Sequence, residues 1–348
     1  MTLSSGATPV AIGAPHVSAG MPRVAIRLKI RLGFAAAVAA LLASAAIAQP
    51  YPSRTVRIIV PYSPGPGPDM VARTIAPKLA ERWGQPVIIE NRPGTSGIPG
   101  TDAVAKSEPN GYTILINVTA IAMGPALYKN LPYDPVTDLI PIAQVGTASM
   151  SLVVNPRVLP VNNFQQFVTE VRANPGKFNY GSTGTGTPQH LGPELLRQQL
   201  GLDLLHVPYK GTAGMVADLL GGQVHLAYLP VHTALPFAQS GKLRVLAVAS
   251  KTRSILAPDA PSLVELGYPD ADIELWYAFY GPARMPAEVV QKWNQELPSI
   301  LALAEVKEFL AKQGIFVLYR DSPATSAYLK SEVARWRSVV EKAGIKPE

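Results

Sequence analysis

Four Gly-rich or Ser/Thr-rich loops, each between a predicted strand and a predicted helix, carry the residue types that could bind an anion. We call residues 63–69, 95–97, 182–187 and 211–212 the first, second, third and fourth loops. Such loops present backbone N–H groups, and the helix that follows adds positive potential at its N-terminus. Any one of them could be an ordinary tight turn. Four in comparable positions favour binding of an anionic ligand, because loops at the carboxyl ends of parallel strands share one edge of a sheet.

The glycines of the third loop invite comparison with nucleotide-binding loops. Residues 181–186 read Gly-Ser-Thr-Gly-Thr-Gly and lack the Gly-Lys-Ser/Thr ending of a P-loop, so no lysine reaches a phosphate. A dinucleotide fold needs an acidic residue at the end of the next strand, whereas Asp203 precedes its strand. We therefore expect no nucleotide cofactor.

One arrangement of side chains could support covalent catalysis, namely Ser182 with His190 and Asp218. The chain has no Gly-x-Ser-x-Gly elbow around a serine. His190 falls in the first turn of its predicted helix, where it is placed to donate to a ligand or to the loop. A hydrolase stays an alternative, but we predict that the protein is not an enzyme. Metal-ligand spacing is missing around the other histidines of the folded part, His206, His225 and His232.

The composition is that of a globular protein with room for two lobes. The chain has 348 residues, of which 47% are hydrophobic and 16% charged, and it has no cysteine. Its net charge is +7, but residues 1–48 contain four basic and no acidic residues, which leaves +3 for the rest. Because no dense basic run occurs there, the sequence excludes a nucleic-acid partner.

The N-terminal segment has the pattern of a secretory signal. A basic stretch at residues 27–31 precedes the apolar residues 32–46 and the small-x-small ending Ala46-Ile47-Ala48. We predict cleavage after Ala48, translation starting at Met1 or at Met21, and a periplasmic mature protein. A membrane anchor is the alternative, but the apolar run is short and mostly alanine.

The remaining sequence alternates between strand and helix patterns. Strands are predicted at residues 56–60, 87–89 and 113–116, with Asp69 capping a helix that runs to about Trp83. The pattern restarts after Pro156 with a helix at 164–171 and strands at 178–180, 204–207, 224–229 and 244–249. Thr187 and Thr212 are predicted to cap the two helices that follow the third and fourth loops. This alternation predicts α/β architecture with parallel strands, in two blocks.

The C-terminal part returns the chain to the first block. Residues 273–280 have strand character, and helices are predicted at about 287–313 and 322–343. Pro298 should kink or split the first of these helices.

Several motifs resemble one family in order along the chain. Residues 51–62, Tyr-Pro-Ser-Arg-Thr-Val-Arg-Ile-Ile-Val-Pro-Tyr, resemble the mature start of the Bug solute-binding receptors of tripartite tricarboxylate transporters. Further similar segments are Glu-Asn-Arg-Pro-Gly at 90–94, Ser-Glu-Pro-Asn-Gly-Tyr-Thr at 107–113, Asn-Tyr-Gly-Ser at 179–182, His-Val-Pro-Tyr-Lys-Gly-Thr at 206–212, Asp-Leu-Leu-Gly-Gly-Gln at 218–223 and Gly-Lys-Leu-Arg at 241–244.

The resemblance implies a type II periplasmic-binding-protein fold, in which two α/β lobes are joined by two crossing strands. We expect lobe 1 at residues 49–150 and 272–348, lobe 2 at 151–271, and crossings near 143–154 and 272–282. It also implies a monomer that binds a carboxylate between the lobes, without a cofactor or metal, and passes it to a large and a small membrane subunit. Carried over to the matching loops, the expected ligand-binding residues are Tyr62, Ser63, Gly65, Gly67, Asp69, Thr95, Ser96 and Gly97 in lobe 1, and Ser182, Thr183, Gly184, Thr185, Gly186, Thr187, His190, Tyr209, Lys210 and Gly211 in lobe 2.

The chain departs from the family pattern in two places. The first loop reads Ser-Pro-Gly-Pro-Gly-Pro-Asp where the family commonly has Pro-Pro-Gly-Gly-Gly-Thr-Asp, and Pro66 and Pro68 cannot donate N–H bonds. Leu229-Pro230 stands where many relatives have an acidic or amide residue. We therefore expect an apolar carboxylate, such as an aromatic acid, rather than an amino acid. The alternative to a transport receptor is a sensor that signals to a membrane kinase.

Overall fold

The computed structural model describes residues 13, 50–65, 67–268, 271–342 and 344–347. Apart from Gly13, the predicted signal segment and its cleavage point lie outside these residues. Residues 51–348 form one unit by their contacts, and the description below concerns that unit. Its strands are β1 Val56–Val60, β2 Val87–Asn91, β3 Thr113–Val118, β4 Leu139–Val154, β5 Phe178–Ser182, β6 Leu204–Pro208, β7 Leu226–Pro230, β8 Arg244–Val248, β9 Glu274–Pro282 and β10 Phe316–Arg320.

The helices alternate with these strands along most of the chain. They are α1 Pro68–Trp83, α2 Ile98–Ala105, α3 Ala120–Leu127, α4 Phe164–Ala173, α5 Pro188–Leu200, α6 Thr212–Gly221, α7 Val231–Gln239, α8 Ala287–Leu301, α9 Ala304–Lys312 and α10 Ser322–Lys342, with a 3₁₀ turn at Thr95–Gly97. In this described part of the chain, no helix combines the length and the apolarity needed to cross a bilayer.

Two groups of strands share the long strand β4. In the first group β1 lies between β2 and β3, parallel to both, and β9 joins β3 to β4 in antiparallel pairings. In the second group β5 is parallel to β6 and β7, while β4 pairs antiparallel with β7 and β8. Residues Leu139–Ser149 of β4 pair with β9, and Met150–Val154 pair with β7. The chain therefore passes from one group to the other through β4.

Burial explains why β1 is a nearly continuous run of apolar residues. Val56, Ile58, Ile59 and Val60 of β1 are all at most 1% exposed, as expected for parallel strands covered on both faces. Helix α8 covers one face through Trp293, whose ring lies 5.1 Å from that of Trp83 and 5.4 Å from that of Phe279.

Several local predictions were wrong at the helix ends. The N-cap of α1 is Gly67, so Asp69 lies inside the first turn instead of capping it. The N-cap of α6 is Gly211 rather than Thr212. Thr187 is the N-cap of α5, as predicted, with proline at the first helical position. The helix expected at 287–313 is divided between Leu301 and Ala304, shortly after Pro298.

Candidate functional site

The first loop is braced from inside by Asp69, which is 3% exposed. One carboxylate oxygen accepts hydrogen bonds from the backbone N–H of Gly65 at 3.0 Å and from Arg73 Nε at 2.8 Å. The other accepts from Asn91 Nδ2 at 2.9 Å. Burial opposes ionisation, but these hydrogen bonds outweigh it and lower the pKa of Asp69. Asp69 therefore holds the loop in shape, and its oxygens already have partners.

A chain of polar contacts joins Tyr62, which directly precedes the first loop, to the second loop. The Tyr62 hydroxyl donates to Asn117 Oδ1 at 2.9 Å, and Asn117 Nδ2 donates to Thr101 Oγ1 at 2.9 Å. Thr101 in turn donates to the carbonyl of Gly97 at 2.8 Å. Gly97 has φ +74°, and a Cβ there would lie 3.1 Å from the Tyr62 hydroxyl oxygen. The close approach of Tyr62 thus requires glycine at residue 97.

The second and third loops touch each other across the two strand groups. Ser96 Oγ donates to the carbonyl of Thr185 at 2.6 Å, and the Tyr128 hydroxyl donates to the same carbonyl at 2.7 Å. Ser96 Oγ and the Tyr128 hydroxyl also lie within hydrogen-bond distance, at 3.0 Å. A Cβ placed on Gly184 would be 3.9 Å from Ser96 Oγ and from Thr95 Cγ2. This contact brings together predicted site residues that lie 89 positions apart.

The third loop folds back on itself before α5 begins. Ser182, fully buried, accepts from the backbone N–H of Gly184 at 3.1 Å. Thr187 Oγ1 donates to the Gly184 carbonyl at 2.8 Å. Gly184 and Gly186 have φ of +118° and +81°, a region that favours glycine. The loop is thus preformed, with half-buried Thr183 on its surface.

A pair of histidines lies beneath the third loop. His190 Nδ1 accepts from the backbone N–H of Gly186 at 3.3 Å, and its ring lies 4.4 Å from that of His206 on β6. His206 Nε2 is 2.6 Å from Ser182 Oγ. Burial, together with neighbouring His206, lowers the pKa of His190 to about 4. His190 is therefore neutral near pH 7, and its bond with Gly186 leaves Nε2 as the protonated nitrogen.

Sequence reasoning missed His206, and the reason lies in the strand register. Tyr180 on β5 is the Cα partner of His206 on β6, and their rings stack at 4.9 Å. His206 is the third residue of β6, and no local pattern there marks it as a partner of Ser182. The catalytic arrangement of Ser182, His190 and Asp218 that the sequence suggested is not formed. Ser182 pairs with His206, and Asp218 accepts from the Tyr209 hydroxyl at 2.7 Å.

The fourth loop follows β6 and is tied to the third by its backbone. The N–H of Tyr209 donates to the Ser182 carbonyl at 2.9 Å. The hydroxyl of Tyr209 donates to Asp218 on α6, and burial with this bond raises the pKa of Tyr209 to about 12. Lys210 is exposed, and Gly211 is the N-cap of α6. The Tyr209 hydroxyl is therefore occupied within the second strand group.

Ser63 and Thr95 are exposed, whereas Gly65 and Gly67 are partly buried. A cavity of about 670 Å³ adjoins the first loop at Gly65 and Asp69. Its other lining residues belong to α1 and α9, so this cavity does not lie between the second and third loops.

In the described part of the chain, no group of three or more His, Cys, Asp or Glu side chains is arranged to hold a metal ion.

Comparison with known proteins gives consistent matches over most of the chain. Residues 71–345 match the family described as "Tripartite tricarboxylate transporter family receptor". Protein BugT of Bordetella pertussis is 34% identical over 318 residues, which cover 89% of this chain and 97% of BugT.

Solved structures of similar proteins cover nearly the same residues. The periplasmic binding protein BugD is 34% identical with a TM-score of 0.79, covering 86% of this chain and 100% of BugD. Rpa4515 of R. palustris with adipate is 32% identical with a TM-score of 0.80, over 86% of this chain and 100% of that one. MatC of Rhodopseudomonas palustris with bound malate is 28% identical with a TM-score of 0.77, over 83% of this chain and 100% of MatC. These neighbours confirm the expected two-lobed periplasmic-binding-protein fold.

Proposed function

Because the chain belongs to the family of tripartite tricarboxylate transporter receptors, which are solute-binding proteins and not enzymes, we propose that it captures a small carboxylate between two lobes and delivers it to a membrane transporter. The observation that carries this proposal is the contact of Ser96 with the Thr185 carbonyl. This contact holds a loop of one strand group against a loop of the other, as expected for the closed form of a receptor. Residues 49–150 with 272–348, and residues 151–271, are the two lobes of this proposal.

The chemistry around the loops suits a carboxylate. Helices α1, α5 and α6 all begin at the ends of predicted ligand loops. The first N–H groups of each helix have no acceptor within the helix, and the helix dipole adds positive potential there. Solved relatives hold adipate and malate, which are both carboxylates. We therefore assign a carboxylate ligand to this chain as well.

The residues at the end of β7 favour an apolar ligand body. Leu229 is fully buried, and its carbonyl already accepts from Ser151 Oγ at 2.9 Å. Pro230, the last residue of β7, has no N–H to donate. An ammonium group would find no side-chain carboxylate or amide at these two residues. We propose an apolar carboxylate, such as an aromatic acid, in preference to an amino acid.

Capture follows from the closure of two lobes. In the open form the carboxylate binds the helix N-termini of one lobe, and closure then adds the loops of the other. Exclusion of water strengthens each charge-assisted hydrogen bond to the ligand. Ser96 and Tyr128 then hold the closed form through the Thr185 carbonyl. No bond of the solute is changed in this cycle.

Location and partners follow from the same proposal. Receptors of this family are periplasmic, and we propose that residues 1–48 direct export and are removed after Ala48. The mature protein would act as a monomer and would meet one large and one small membrane subunit.

Thermal unfolding with a panel of acids tests the proposed function. The panel contains adipate, malate, citrate, benzoate, glutamate and aspartate. A ligand at about 100 times its Kd adds roughly 2.7 kcal/mol to the free energy of unfolding, a Tm shift of several degrees. We expect such a shift with benzoate or another apolar acid and none with the two amino acids. A shift with amino acids alone would contradict the proposed ligand class, and no shift with any acid would contradict carboxylate capture.

A further inference from the structure

Strand β9 carries three buried polar atoms that have no hydrogen-bond partner among the described residues. They are Trp276 Nε1 and the hydroxyls of Tyr277 and Tyr280, and all three residues are fully buried. Trp276 points to α10, where its ring lies 5.5 Å from that of Tyr328. Tyr277 is the next residue along the strand, so its side chain lies on the opposite face. The three atoms therefore belong to two different environments.

Tyr277 lies at the edge of the sheet where the predicted ligand loops are. Its Cα partner on β3 is Val118, the last residue of that strand. Across the sheet, Tyr277 Cδ2 is 3.8 Å from the position that a Cβ on Gly146 of β4 would occupy. The carboxyl ends of parallel strands form the ligand edge of such sheets. Tyr277 is thus beside the predicted site rather than deep below it.

The ring of Tyr277 lies against the residue that starts α1. Gly67, the N-cap, has φ +81°, and a Cβ built there would lie 3.9 Å from Tyr277 Cε1. Cε1 adjoins the ring carbon that bears the hydroxyl. A 16-residue helix begins at this point, with N–H groups in its first turn that have no acceptor inside the helix. The hydroxyl of Tyr277, which has no partner among the described residues, therefore lies beside the positive end of α1.

The Tyr277 hydroxyl is a hydrogen-bond donor that has no acceptor among the described residues. Burial raises the pKa of Tyr277, so the hydroxyl stays protonated at physiological pH. A buried donor without an acceptor is unfavourable, and phenylalanine would fill the same space without that penalty. The hydroxyl is explained if an anionic acceptor enters between Gly67 and the ring.

We propose that the Tyr277 hydroxyl donates a hydrogen bond to a carboxylate oxygen of the ligand at the start of α1, which makes Tyr277 a specificity-determining residue. This inference rests on the proposed function and adds to it a side-chain donor from the strand that runs beside β4. The ligand group that it binds is an ionised acid, because the phenol donates a charge-assisted hydrogen bond to a carboxylate and the positive end of α1 beside it disfavours an ammonium group.

The test replaces the hydroxyl without changing the ring, in Tyr277→Phe. Tyr228→Phe is the matched control, since Tyr228 is also fully buried and its hydroxyl has no partner among the described residues, but its ring packs against Gly192 within α5. Binding of adipate, malate and benzoate is measured by calorimetric titration of the purified proteins. We expect Tyr277→Phe to raise the Kd of the acid that binds by about 10-fold or more, the size of a lost bond to a charged group. Tyr228→Phe should leave that Kd unchanged.

The outcomes separate this inference from the function on which it rests. An unchanged Kd in Tyr277→Phe, or an equal loss in both variants, overturns the role of Tyr277 and leaves carboxylate capture intact. A wild-type protein that binds none of the six acids of the thermal-unfolding panel overturns both. The Tm of ligand-free Tyr277→Phe should equal or exceed that of the wild type. A decrease of several degrees, or failure to fold, would contradict the premise that the hydroxyl has no partner in the protein.

Discussion

The contact between the second and third loops can be weakened by Ser96→Ala. Ser96 has φ +53°, a strained value for alanine as much as for serine, so the substitution removes the hydroxyl without altering backbone strain. The variant loses the bond to the Thr185 carbonyl and the contact with Tyr128. Tyr128 keeps its own bond to that carbonyl, and the net loss should be about 1 kcal/mol, the typical value of one neutral hydrogen bond.

This loss acts on the closed form, because the contact joins two strand groups. A change of about 1 kcal/mol shifts the closed-to-open ratio, and hence the Kd, by about fivefold. Calorimetric titration with the acid that the wild type binds measures the change. Tyr128→Phe should cost a similar amount, and the double variant should bind more weakly than either single one.

Ser107→Ala is the control for this series. Ser107 Oγ donates to the Val104 carbonyl in the first strand group at 2.8 Å, so its removal should leave the Kd unchanged. If Ser96→Ala, Tyr128→Phe and the double variant all bind the acid as tightly as the wild type, this contact has no part in the closed form. The reasoning from loop contact to capture would then be refuted.

Three further substitutions test the parts of the site separately. The pKa of His190 falls from 6.5 to about 4 on folding, so its contribution to stability is complete above pH 6.5 and is lost as the pH falls toward 4. Urea unfolding at pH 7.5 and 5.0 should show that His190→Gln removes about 2 kcal/mol of this pH dependence, and an unaltered dependence would contradict the burial of a neutral ring. Asp69→Asn should lower the free energy of unfolding by about 2 kcal/mol through weakened bonds to Gly65, Arg73 and Asn91. Glu265→Gln removes the charge of an exposed pair with Arg253 but keeps an oxygen for the Ser262 N–H, so it should have no measurable effect. Equal effects of the two substitutions in denaturant titration would contradict the bracing role of Asp69. Gly97→Ala should lower the Tm by several degrees, since a Cβ would strain φ +74° and lie 3.1 Å from the Tyr62 hydroxyl, and calorimetric scanning that finds an unchanged Tm would contradict the tight contact.

The regular elements of the fold follow largely from local sequence pattern. The β-branched run at Val56–Val60 and the apolar stripe of α1 were predicted at nearly their observed bounds. Helix α3 was missed because Ala120–Leu127 is buried on nearly all sides and contains both Gly124 and Pro125, so it shows no amphipathic period. Strand β10 was missed because it is short and only half-buried along its length. Local pattern therefore fails in two cases: a helix that is buried on all sides has no amphipathic period, and a short strand without a buried face has no clear alternation.

Of the candidate site, only the positions of the four loops could be predicted from the sequence. Glycine and proline marked the four loops, since those residues are required by the turns. The partners were not predictable, because they depend on which strands lie side by side and in what register. Ser182 meets His206 through the parallel pairing of β5 with β6, and Asp69 meets Asn91 from the end of β2. Neither relation leaves a local trace in the sequence.

The most direct test of lobe closure around a carboxylate is to measure a distance between the two lobes with and without ligand. The chain has no cysteine, so the double variant Arg92→Cys and Ala213→Cys, at exposed positions near the second loop and at the start of α6, can carry a spin label at two sites only. Pulsed electron paramagnetic resonance then compares the distance between the two labels without ligand and with a saturating acid identified by thermal unfolding. We predict a shorter and narrower distance distribution with the acid. An identical distribution under saturation, confirmed by calorimetry on the labelled protein, would contradict capture by closure.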